Sequence, residues 1–275
     1  MSASVLGSDE EIFAANRASG KISVAVGLAA NKPRRTRVHE AGSLRVRFPH
    51  GDEDTLEAVI LNTAGGMTGG DRFAIDIAVE AGARLLAGTA AAEKIYCSLG
   101  PDVELAISLN IDGSLAWLPQ ETILFDEARL SRRIDVDLAR DATLLMAEAV
   151  VFGRSAMEET VVSGYLVDRW RVRRGGRLLF AETMRLDGDI AAKLARPAVA
   201  AGAVAVATVL IVPGTDDTVS AVRSLSDRFA GEVGISSWNG IAVARLCARD
   251  SAALRQDLSA VLAALKAPLP RLWLN

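Results

Sequence analysis

Three stretches of this chain alternate apolar and polar residues with a period of two. Phe73, Ile75, Ile77 and Val79 fall opposite Ala74, Asp76, Ala78 and Glu80. Val103, Leu105, Ile107, Leu109 and Ile111 repeat the pattern, as do Ile134, Val136 and Leu138 against Arg133, Asp135 and Asp137. Only a half-buried strand places successive side chains on opposite faces in this way. Shorter apolar runs between residues 15 and 60, bounded by Pro33, Pro49 and Gly51, read as further strands. Four turn signals punctuate the series: Gly82-Ala83-Arg84-Leu85, Gly113-Ser114-Leu115, Ala142-Thr143-Leu144 and Gly176-Arg177-Leu178. Their leucines lie about 30 residues apart, a spacing typical of stacked strand units. Asp112-Gly113 and Gly175-Gly176 are equally good hairpin turns, so the recurrence fits layered sheets, a sandwich or an irregular β-helix.

Helical spacing enters near the C-terminus. Val219, Val222, Leu225 and Phe229 share one face of Thr218–Phe229, and Leu254, Leu258, Val261, Leu262 and Leu265 share one face of Ser251–Leu265. The expected fold is therefore mainly β with two C-terminal α-helices. With no Pro/Ser-rich linker to divide it, the chain is expected to form a single domain over residues 1–275. Half of the residues are hydrophobic, so the sheets have more apolar surface to cover than one solvated face allows. No run reaches the roughly 18 apolar residues of a membrane helix; Pro197–Val212, the longest candidate, reads as a buried strand entry.

Charge and cysteine content narrow the function classes. A net charge of −3 gives no footprint for nucleic acid, although Arg169, Arg171, Arg173, Arg174 and Arg177 surround Trp170. The opening Met1–Glu11 lacks the basic and apolar regions of an export signal, so a cytoplasmic protein is expected. Cys97 and Cys247 are distant in sequence, and in a reducing compartment both are expected as free thiols.

Motifs of chemistry are sparse. His39 and His50 are the only histidines and neither stands at metal-ligand spacing. No Gly-x-Ser-x-Gly elbow precedes a helix. Asp71, Glu93, Glu121, Asp126, Glu148, Glu158 and Glu159 read as solvated loop charge, since spacing alone does not show which carboxylates converge. Asn62–Asp71 stands out for Gly65, Gly66, Gly69 and Gly70. It is neither a Walker loop nor a Rossmann turn, and reads as a tight crossing in a sheet or an amide nest.

Five strings in order resemble one family. Asn62-Thr63-Ala64-Gly65-Gly66-Met67-Thr68-Gly69-Gly70-Asp71, Ala92-Glu93-Lys94-Ile95-Tyr96, Trp117-Leu118-Pro119-Gln120-Glu121-Thr122-Ile123-Leu124-Phe125, Phe152-Gly153-Arg154 and Leu269-Pro270-Arg271-Leu272-Trp273 are similar to the urease accessory protein D family, UreD or UreH. The resemblance implies a mainly β chaperone without a catalytic centre. Such a chaperone binds urease apoprotein and the accessory protein UreF, with the GTPase UreG docked through UreF. It further implies nickel in transit through a water-filled tunnel, with no tightly bound cofactor or tight metal site. Weak oxygen ligands suit rapid release better than imidazole or thiolate. Asp71, Glu93 and Glu121, in the recognisable loops, are the expected tunnel or transient nickel contacts. Cys97 departs from the family pattern, which has Arg there in many members. The alternative is a generic β-sheet binding module with no metal role.

Overall fold

The computed structural model describes residues 16–50, 53–98, 100–154, 157 and 159–273. Two sheets face each other. One has seven strands and the other ten. In chain order the first strands are β1 (Ser19–Ala29), β2 (Lys32–Gly42), β3 (Leu44–Arg47) and β4 (Leu56–Asn62). There follow β5 (Arg72–Val79), β6 (Arg84–Thr89), β7 (Glu93–Ile95), β8 (Val103–Ile111), β9 (Ser114–Trp117) and β10 (Thr122–Leu124). The remainder are β11 (Arg129–Leu138), β12 (Thr143–Phe152), β13 (Ser163–Arg174), β14 (Arg177–Asp189), β15 (Ala205–Val212), β16 (Glu232–Trp238) and β17 (Ile241–Ala248). The seven-stranded sheet has the order β14-β13-β11-β8-β5-β1-β2, and the ten-stranded sheet follows the path β16-β17-β15-β12-β9-β6-β4-β3 with β7 and β10 joined beside β12.

From β4 to β13 the chain winds between the sheets, and neighbouring coils pair in parallel. Identical phase in each coil stacks like on like. Ile75 lies beside Ile107, Ile107 beside Ile134, and Ile134 beside Trp170, all with 5% exposure or less. A slip of one residue would expose the whole row, so the apolar pattern fixes the register. The recurrent leucines confirm the coil: Leu85 pairs with Leu115, and Leu115 with Leu144.

Asp112-Gly113 is therefore a corner between coils and not a hairpin. A Cβ on Gly113 would sit 2.4 Å from the carbonyl oxygens of Glu80 and Ala83 in the coil before it, which is why the corner needs glycine. Gly175-Gly176, by contrast, does turn a hairpin between the antiparallel strands β13 and β14. The fourth signal thus ends the winding.

The two sheets differ in what covers them. The seven-stranded sheet presents one face to solvent, and its strands alternate: β5 reads exposed, then buried and half-buried by turns. The other sheet is covered on both faces, by the first sheet and by α2 (Asp216–Arg223) and α3 (Ser251–Ala264). Its strands are accordingly near-continuous apolar runs, as in Ala205–Val212 and Thr143–Phe152. Small side chains such as Ala147, Ala149 and Ala207 let Leu254, Leu258, Val261 and Leu262 pack onto that outer face. This second layer absorbs the surplus apolar surface that composition announced.

Both C-terminal helices form, with shifted bounds. α2 starts at a capping box between Thr215 and Thr218 and ends before Phe229. Beyond it, the amides of Ala230 and Gly231 are taken by the Asp257 carboxylate of α3 at 2.8 and 2.7 Å. A further short helix, α1 (Ile190–Leu194), is capped by Asp189 and is too brief to show periodicity. Among the described residues no helix is long and apolar enough to cross a membrane.

Candidate functional site

The chain passes from the ten-stranded sheet to the seven-stranded one after β4, β7, β10 and β12, and these crossovers stack along one edge. Met67 N–H donates to Lys94 O at 2.8 Å, Tyr96 N–H to Met67 O at 2.8 Å, Phe125 N–H to Ile95 O at 3.0 Å and Gly153 N–H to Leu124 O at 2.8 Å. The first four strings of the sequence reading meet here. Gly66 has φ +155°, and a Cβ on it would lie 2.4 Å from the Tyr96 ring. Tyr96 meets Phe125 edge-on at 5.0 Å, and the Arg154 guanidinium lies over Phe125 at 4.1 Å. Gly70 N–H donates to Asp102 O at 3.1 Å, and Gly69 O accepts from Arg17 at 3.1 Å. Gly65, at φ +81°, faces open space.

The three expected carboxylates are placed differently from one another. Asp71 turns inward and is 3% exposed. Its Oδ1 accepts from Ala18 N–H and its Oδ2 from Thr68 N–H, both at 2.8 Å, so it ties the glycine loop to the start of β1. Glu121 receives the Arg255 guanidinium of α3 at 2.9 and 2.6 Å. Glu93 neighbours Glu121 through a backbone bond of 2.9 Å from Glu93 N–H and accepts from Asn62 Nδ2 at 3.3 Å. Burial pushes the Glu93 carboxyl above its ordinary range, with Asn62 acting the other way. Glu93 and Glu121 therefore lie together on the ten-stranded sheet, while Asp71 leads into the other.

Other charges resolve into structural contacts. Asp126 accepts from the amides of Val162 and Ser163 at 2.8 and 3.0 Å, and Glu159 pairs with Arg154 at 2.7 Å. Glu158 lies outside the described residues. Cys97 is exposed, and its thiol donates to Glu127 at 3.3 Å, which raises the thiol above its usual range. Cys247 lies on β17, and both thiols are free. Among the described residues no group of three or more His, Cys, Asp or Glu is placed to hold a metal ion.

Glu148 corrects the loop reading. It stands in β12, is 5% exposed, and belongs to a charged cluster between the sheets. Arg132 on β11 lies directly opposite Asp168 on β13. Its Nε donates to Asp168 Oδ1 at 3.0 Å and its Nη2 to Oδ2 at 2.5 Å. Arg132 Nη1 donates to Glu148 Oε2 and, at 3.3 Å, to Thr122 Oγ1. Trp117 Nε1 donates to Glu148 Oε1 at 2.7 Å, and Trp170 Nε1 to Asp168 Oδ1 at 3.1 Å. Burial pushes the Glu148 carboxyl up, while Arg132 opposes that shift; burial also works against the Arg132 charge, but Asp168 and Glu148 together outweigh it and hold the guanidinium proton more tightly.

The cluster forms the floor of a cavity of about 550 Å³, walled by apolar side chains including Phe152, Met184, Leu186 and Val206. At its rim Glu182 of β14 and Arg245 of β17 join the two sheets through bonds of 2.7 and 2.6 Å. A signal for this site exists in the alternation. Arg132 is in phase with Leu130 and Ile134, and Asp168 with Leu166 and Trp170, so each charged residue takes an inward position on its strand.

The model of the family "UreD urease accessory protein" matches residues 18–274. A urease accessory protein UreD of Rhodopseudomonas palustris (strain BisA53) is 58% identical over 270 residues, covering 98% of this chain and 94% of that protein. A urease accessory protein UreD 3 of Bradyrhizobium sp. (strain BTAi1) is 56% identical over 268 residues, covering 96% of each. The match spans the winding core, both covering helices and the final turn, and the chain belongs to the UreD family of urease accessory proteins.

Proposed function

We propose that this protein is a maturation chaperone for urease, a scaffold that binds the urease apoprotein and UreF, with the GTPase UreG docked through UreF. Nickel released on GTP hydrolysis passes it in transit, as cargo and not as a resident cofactor. The observation that carries this reading is the cavity between the sheets: it is large enough for water, and among the described residues its floor holds carboxylates with no imidazole beside them. Carboxylate attraction in a weakly screened interior lowers the cost of a divalent cation without the persistence of nitrogen or sulfur ligation. The stacked crossovers support the scaffold half, because exposed Tyr96 and Met157 give that edge apolar surface.

Asp71, Glu93 and Glu121 enter the proposal as carboxylates of the crossover edge. Glu93 is the first expected to touch nickel, since Asp71 serves two backbone amides and Glu121 serves Arg255. The proposal assigns no catalytic centre: the two carboxylates that do converge share one guanidinium and are not presented as free acid and base. The protein acts in the cytoplasm in this reading, with no role for nucleic acid or a membrane. Deleting it should leave urease synthesised and assembled but poor in nickel and inactive. Normal nickel content and activity in the deletion strain would reject the proposal, and loss of activity with normal nickel content would remove the conduit part of it.

A further inference from the structure

We propose that Arg132 stands where a divalent cation would otherwise bind between Glu148 and Asp168, and so keeps the cavity from retaining metal. The inference rests on the reading of the cavity as a path for nickel. All four oxygens of the two carboxylates accept hydrogen bonds, and three of the four are bound by the one guanidinium. The carboxylates do not owe their positions to Arg132 alone. Indole N–H groups of Trp117 and Trp170, rings exposed by 1% and 3%, hold one oxygen of each. Strands β11 and β13 are in register at Arg132 and Asp168, and Glu148 reaches them from the facing sheet.

Remove the guanidinium, and two carboxylates remain fixed around its former place, with Thr122 Oγ1 as a further oxygen and the cavity to supply water. Oxygen sets of this kind bind divalent cations, and two buried carboxylates that have lost their counter-ion shed the charge cost by binding a cation or by taking up a proton, for which the metal then competes. With Arg132 present the cluster has one positive and two negative groups. The residual negative charge still attracts a cation, but a metal must displace a guanidinium to gain an oxygen. Arginine cannot vacate by losing its proton at any physiological pH, so the block is permanent where a lysine or histidine would open with pH. A passing ion is thus drawn in and not kept.

The test uses the full-length chain without a histidine tag, with nickel chloride as the probe, in equilibrium dialysis and in thermal unfolding. The parent should show no one-to-one nickel binding and no nickel-dependent rise in unfolding temperature. Arg132→Met should gain one site per chain, at least about tenfold tighter than any nickel uptake by the parent, and should be stabilised by nickel. Arg132→Lys should gain none while its ammonium stays charged and open the site only as pH rises through the lysine's deprotonation, and Glu148→Gln in the Arg132→Met chain should abolish the new site. Where Arg132→Met fails to fold alone, refolding it with nickel should recover soluble chain. A parent that already binds one nickel at this cluster, or an Arg132→Met chain that gains neither binding nor nickel-dependent folding, overturns the inference. Urease activation by the same variant separates the two readings. Should Arg132→Met gain the site yet activate urease like the parent, the inference stands and the path of nickel lies elsewhere.

Discussion

Asp71 and Asp168 are buried to almost the same degree, 3% and 4% exposed, and are held in opposite ways. Asp71 sits at the crossover edge and accepts from two backbone amides, one of them three residues away at Thr68. Asp168 sits between the sheets and accepts from the side chains of Arg132 and Trp170. The first fastens a loop to a strand with neutral donors that remain wherever the chain goes. The second balances a guanidinium that is 2% exposed at the floor of the cavity. Loss of the first leaves amides to find solvent at the edge, whereas loss of the second leaves a buried ion short of a partner. The glycine loop is thus a device of shape, and the inner cluster is a device of charge.

The sharpest way to break this contrast is Asp168→Ala, expected to cost about 3–5 kcal/mol because it breaks a buried ion pair and leaves Arg132 Nε and Nη2 without their acceptors. Denaturant unfolding measures it, and a cost under about 1 kcal/mol would mean that the cluster is solvated through the cavity. Gly66→Val comes next. Its Cβ meets the Tyr96 ring, and its φ of +155° suits glycine alone, so a loss of about 3 kcal/mol is expected. Assembly with urease should fall with it in a pull-down, and an unchanged complex would detach the crossover edge from binding. Asp71→Ala should lose about 2 kcal/mol from its two orphaned amides and reduce urease activation per assembled complex. Wild-type activation from assembled Asp71→Ala complex would remove Asp71 from the nickel path.

The smallest expected effect depends on pH. Burial raises the Glu93 carboxyl in the folded chain, so the folded state favours the protonated form. The associated stability is fully present below the unfolded carboxyl value and is lost as pH rises through the higher folded one. Glu93→Gln should match the parent in acid and become the more stable of the two toward neutrality, by less than about 1 kcal/mol. A difference that stays flat between acid and neutral pH would show that Glu93 is well solvated and would weaken its place as the first nickel contact.

Much of the winding core was legible because its determinants are local and repeated. The phase of Phe73–Val79, Val103–Ile111 and Ile134–Leu138 fixes which side chains turn inward, and the leucines at 85, 115 and 144 mark successive corners. Asp112-Gly113 misleads as a hairpin pair because a turn dipeptide states how the backbone bends and not which strand comes next. The α2 boundary depends on Asp257, which acts from another helix on the residues that follow.

The candidate site divides along the same line. The glycine loop and the strings around it were visible because each is contiguous, and the family is written in them. The cluster of Arg132, Glu148 and Asp168 draws on three strands and both sheets, and no spacing in the sequence brings its members together. The sequence by itself determined the alternation, the coil length, the membership of a family and the inward phase of Arg132 and Asp168. Which carboxylates meet, and that a guanidinium stands between them, was decided by the tertiary structure, because the attraction between charges depends on their separation in space and on the water the two sheets exclude.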